Sequence, residues 1–154
     1  MRTLRIAGAI IAAVSLLAGG GYVLLRWSLI PYPPASEILR VKYSVSPGFD
    51  TCDNALTYDV DFEEMTVTMT NACGDMFRES ESINELQIKQ ARTAFSLSGV
   101  RFWKAQYIQP GVMDGSGFSL VVDYQNGKTQ TVHSYMLNPP CMNRFRSGLE
   151  ALGI

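Results

Sequence analysis

From Ile6 to Leu25 the chain reads IAGAIIAAVSLLAGGGYVLL, without one charged residue. Twenty residues at about 1.5 Å each reach roughly 30 Å as a helix, the thickness of a bilayer's hydrocarbon core. Such a run has no polar face for water, so it stands apart from whatever the rest folds into. The expected division is a signal-anchor or transmembrane segment over 1–27, a linker over 28–36 and an α+β domain over 37–154. A cleaved signal peptide, leaving a secreted domain, is the rival: Arg2 and Arg5 precede an apolar region, and Ala18-Gly19-Gly20 offers small residues for a cut. The anchor accounts better for Tyr22 to Leu25, where the apolar run resumes, and for Arg26 and Trp27 at an interfacial end.

Arg2 and Arg5 favour a cytoplasmic N-terminus, which puts the domain in the periplasm or extracellular space; Arg26, Arg40 and Lys42 pull the other way. The linker contains Pro31, Pro33 and Pro34, which favour extended polyproline geometry and a semi-rigid stalk. Of thirteen Lys and Arg, three flank the apolar block, so ten face all fourteen Asp and Glu, about −4 for the remainder. A phosphate-binding stripe is missing from that balance, and nucleic acid is excluded as a partner.

Periodicity gives the domain's order as βββ-α-βββ-α: an antiparallel sheet of about six strands with two helices on one face. Ile38–Ser46 alternates, with Leu39, Val41, Tyr43 and Val45 inward. Leu56–Phe62 and Met65–Thr70 alternate likewise and form a hairpin through Glu63-Glu64, with Phe62 opposite Met65. That register carries Cys73 opposite Asn54 and diagonal to Cys52, on one face of the ribbon's open end. A Cys52–Cys73 disulfide follows, since four-ligand metal spacing and a CxxC redox pair are both missing. Such a bond requires an oxidising compartment, in agreement with the orientation.

Ser82-Ile-Asn-Glu85 has capping-box spacing and opens a helix that Gly99 ends, with Ile83, Leu86, Ala91, Ala94, Phe95 and Leu97 as its apolar side. Val100–Ile108 is expected as a strand. Asn126-Gly127 marks a two-residue hairpin turn that pairs His133 with Leu120 and faces His133 toward the core with Phe118 and Val122. Asn138 and Pro139 open a last helix, with Cys141, Phe145, Leu149 and Leu152 on its apolar face.

Few residues invite chemistry. Cys141 and His133 are the candidate nucleophile and base of an enzyme, with no local signature to support them. His133, Met136, Cys141 and Met142 are soft donors of the kind copper(I) takes, yet methionine fills core positions throughout the chain. Asp59, Asp61, Glu63 and Glu64 lack a glycine-containing calcium loop, and a solvated face is expected. No metal or cofactor is called for. The sheet's outer face gathers Arg40, Lys42, Asp59, Asp61, Thr66, Thr68 and Thr70, and strand 100–108 adds Phe102 or the set Arg101, Trp103 and Tyr107. Exposed aromatics among polar groups make a contact surface, so Arg101, Trp103, Tyr107, Arg40 and Thr68 are the expected binding residues. The functional expectation is a membrane-anchored extracytoplasmic binding or protein-interaction module with a protein partner in the cell envelope. Its rivals are the Cys141/His133 enzyme and a structural subunit of a membrane complex.

Overall fold

A computed structural model describes residues 32–46, 55–71, 79–112 and 115–154. The apolar run 6–25 and both Cys52 and Cys73, with the bond expected between them, lie outside the described residues. Among the described residues no helix is long and apolar enough to cross a membrane.

The compact unit runs from Tyr32 to Ile154. It begins inside the expected linker: Tyr32 stacks on Tyr124 at 5.8 Å, and Ala35 is buried in a 3₁₀ turn, Ala35–Glu37. The end of that linker therefore lies against the domain and does not stand off as a stalk.

The fold is α+β, with seven strands in one sheet and two helices packed together. The strands are β1 Ile38–Ser46, β2 Leu56–Asp61, β3 Thr66–Asn71, β4 Glu79–Ser82, β5 Gln106–Ile108, β6 Gly117–Tyr124 and β7 Thr129–Tyr135. The helices are α1 Glu85–Ser98 and α2 Met142–Glu150. Spatial order is β4-β3-β2-β1-β6-β7-β5, antiparallel throughout except for β5 beside β7.

The β2–β3 register is the expected one, Leu56 opposite Asn71 and Asp61 opposite Thr66. The turn owes its shape to Asp61, whose Oδ1 accepts from the Glu63 and Glu64 amides at 2.9 and 3.0 Å. A bulge between Ile38 and Arg40 shifts the phase of β1, so Ile38 joins Val41 and Tyr43 in the core and Leu39 stays half-buried.

The β6–β7 register departs from expectation by one residue: Ser119, not Leu120, faces His133. Tyr124 donates its amide to Lys128 O at 3.0 Å and accepts from the Gly127 amide at 2.9 Å, with Gly127 at φ 77°. That is a three-residue loop closing on a left-handed glycine, where the sequence suggested a two-residue turn. A one-residue slip exchanges the faces of a strand. Gln130, Val132 and Ser134 consequently point inward and His133 points out.

β4 is an unexpected strand. Ser82 pairs with Thr66 and is unavailable as a cap; the capping box falls two residues on, at Asn84 and Gln87, each side chain bonded to the other's amide at 3.0 Å. Gly99 ends α1 at φ 67° as expected. Ala91, Phe95 and Ser98 form the buried strip of α1; Leu86 lies half a turn from Phe95 and is 64% exposed. Beyond Gly99 the expected nine-residue strand is a 3₁₀ turn, Val100–Phe102, followed by the three-residue β5. Gln130 holds that turn: its Nε2 donates to Val100 O at 2.8 Å and to Trp103 O at 3.4 Å.

The core lies where α1 and α2 meet the sheet. Phe95 stacks on Phe145 at 4.6 Å, Tyr43 and Trp103 tilt onto Phe145 at 6.1 and 5.2 Å, and Phe62 meets Phe95 edge-on at 6.5 Å. Gly148 permits this approach, because a Cβ there would sit 2.6 Å from Phe95 Cε1.

Candidate functional site

Two surfaces offer themselves. The first is the sheet's outer face, where aligned registers set side chains in rows. One row runs Ser82, Thr66, Asp61, Arg40, Asp123, Thr129, and the next Ser80, Thr68, Asp59, Lys42, Val121, Thr131. Arg40 and Thr68 stand there as expected. The Arg40 guanidinium reaches both Asp59 carboxylate oxygens at 2.6 and 2.5 Å, and those bonds and the Asp59 charge raise its pKa. Asp61 is engaged in the hairpin turn and Asp123 accepts from Thr129 Oγ1 at 2.6 Å. Arg40 and Asp59 neutralise each other on this face, while Lys42 has no ion pair among the described residues.

The aromatic set expected here does not arrive. Trp103 is 5% exposed and donates its indole N–H to Pro140 O at 3.1 Å. Tyr107 pairs with Ser134 on the core side, and its hydroxyl accepts from the Lys104 amide at 3.0 Å. Arg101 sits in the 3₁₀ turn with its guanidinium 4.8 Å over the Phe102 ring. A short turn tied down by Gln130 replaced the strand whose alternation would have brought these residues outward.

The nucleophile–base pair is also not assembled. His133 is exposed on the outer face opposite Ser119. Cys141 is exposed, in a left-handed conformation at φ 56°, and opens α2, whose Phe145 packs against the opposite face through Tyr43. No hydrogen bond joins the two side chains, whereas proton transfer between them needs hydrogen-bond reach. The expected burial of Cys141 fails because the helix starts at Met142, and Met142, Phe145, Gly148 and Leu149 take its buried face. Among the described residues no three His, Cys, Asp or Glu side chains are grouped to hold a metal.

The second surface was not anticipated. A groove of about 710 Å³ runs along α1, bounded by Pro34, Ala35 and Ser36 and by Phe62 and Met65 at the β2–β3 turn. From α1 it receives Glu85, Ile88, Lys89, Arg92, Thr93, Ser96 and Leu97, a strip repeating every three or four residues. Met65 is set there by a left-handed backbone at φ 54° and by its carbonyl, which accepts from the Ile83 amide at 2.9 Å. Leu97 is 58% exposed.

Arg92 gives the groove its electrostatic character. One Nη donates to Ile38 O at 2.9 Å, the guanidinium carbon lies 5.1 Å above the Phe62 ring, and buried Nε has no hydrogen-bond partner. No carboxylate among the described residues is in ion-pair contact with Arg92 or Lys89. A fixed guanidinium beside apolar side chains, without a matching carboxylate among the described residues, is prepared for an anion. The signal was present in the sequence as Lys89 and Arg92 one turn apart, but the wall facing them comes from residues more than twenty positions away.

No protein-family model matches the chain, and no curated protein is significantly similar to it.

Proposed function

We propose that this protein is a membrane-anchored extracytoplasmic binding module: residues 6–25 hold it in the bilayer, and the groove along α1 receives its partner. One observation carries the binding half of this reading: a groove walled in part by Phe62, Met65, Ile88 and Leu97 holds a guanidinium that the protein fixes and that no carboxylate among the described residues neutralises. Leu97, 58% exposed, gives the far end of the strip apolar surface. The uncharged length of 6–25 supports the anchor, and the basic residues before it support a cytoplasmic N-terminus. With Trp103 and Tyr107 turned to the core, the groove and not the sheet face is the working surface.

Photo-crosslinking in the native cell tests this. A benzoylphenylalanine at Leu97 is expected to give discrete adducts, and one at Thr131 on the outer face none. Adducts from Thr131 alone would move the working surface to the sheet and end the groove reading.

A further inference from the structure

The groove has a length and a charge order, and together they identify an occupant. From Glu85 to Leu97 the α1 strip rises about 18 Å. An extended peptide advances about 3.3 Å per residue, so five or six residues fill it. Met65 and Ile88 mark one end, since the Met65 carbonyl is bonded to Ile83 just before α1. Leu97 marks the other, where Pro34 and Ala35 also line a hollow with Ser96 and Gly99 beyond it. Lys89 and Arg92 lie between these apolar ends, and Glu85 closes the first end with a negative charge.

We propose that the groove binds a short extended segment of a protein partner, apolar at both ends and carrying one Asp or Glu side chain at its middle. This rests on the binding-module reading above. Charge complementarity selects it: the midpoint carries two cations without a matching carboxylate among the described residues, and Glu85 repels a second acid at its end. A fatty acid fits less well, because its carboxylate ends the chain; placed at Arg92 it leaves one apolar end of the groove unfilled.

The test pans a phage-displayed library of random peptides against the full chain in lipid nanodiscs and measures selected peptides by fluorescence anisotropy. Enriched sequences are expected to share one acidic residue with apolar residues on both sides. Arg92→Gln and Lys89→Gln are each expected to weaken binding roughly tenfold, about one charge-assisted hydrogen bond, and Leu97→Arg to abolish it. Lys89 is exposed, so its substitution probes charge without touching the fold even if Arg92→Gln fails to fold. Binders without an acid, indifferent to Lys89→Gln but lost in Leu97→Arg, overturn the proposed segment and leave the groove standing. Binders indifferent to Leu97→Arg overturn both. If the library yields nothing while dodecanoate shifts the Ile88 methyl resonance, the peptide proposal falls and the groove reading survives; if neither binds, both fall.

Discussion

Replacing Gln130 with leucine tests how the segment after α1 is held. Gln130 is 1% exposed and its amide is fully used: Oε1 accepts from the Tyr124 hydroxyl at 2.8 Å, and Nε2 donates to Val100 O and Trp103 O. Leucine fills similar space but leaves the buried Tyr124 hydroxyl without its partner and strips the Val100 carbonyl of one of two donors, the Trp103 amide at 2.9 Å remaining. The orphaned hydroxyl costs about 1–3 kcal/mol and each lost hydrogen bond to Val100 O and Trp103 O about 1 kcal/mol, and the apolar side chain returns about 1–2 kcal/mol. The expected net loss is about 2 kcal/mol. Tyr124→Phe alone leaves Oε1 unpaired; the double variant removes both members of that bond and should cost about 1–2 kcal/mol less than the two single losses combined. Urea unfolding followed by tryptophan fluorescence measures all three. A loss below about 1 kcal/mol for Gln130→Leu, or strict additivity in the double variant, refutes the view that this amide anchors the 3₁₀ turn.

Three further outcomes are expected. Gly148→Ala forces a Cβ to within 2.6 Å of Phe95 Cε1 in a ring stack with no exposed space, and overpacking of about 1–3 kcal/mol exceeds the gain of about 1 kcal/mol in helix propensity, so thermal unfolding shifts downward. Burial pushes the Tyr124 and Tyr43 phenols above their ordinary pKa, with Arg146 opposing the shift at Tyr43. Their contribution is therefore complete below the unfolded value of about 10 and is lost as pH rises beyond it; Tyr124→Phe should flatten the alkaline fall of the melting temperature. Arg40→Gln breaks an ion pair whose arginine side chain is 52% exposed, and equilibrium unfolding should register less than about 1 kcal/mol, diminishing further in high salt.

Local period and local turn chemistry were legible wherever they agreed. The β2–β3 register follows from alternation alone, because Asp61 closes the turn without inserting a residue. The β6–β7 register failed on the number of residues in one loop: Asn126-Gly127 marks a turn under either count, but Gly127 closes three residues and moves His133 to the other face. Ser82 has capping-box spacing with Glu85, but its pairing with Thr66 draws it into β4 and the cap falls to Asn84. Aromatic density in 100–108 suggested a strand, while the hold of Gln130 on Val100 and Trp103 is a contact across thirty positions that no local window contains. The groove was hidden for the same reason, since α1 supplies its charges and the β2–β3 turn its floor.

The most direct measurement is a methyl-resolved NMR titration of the full chain in nanodiscs with a selected acid-centred peptide. Met65 and Ile88, which line the groove, should shift and saturate together, while Val121 on the outer sheet face stays in place. Shifts centred on Val121, with Met65 and Ile88 unmoved, would contradict the account.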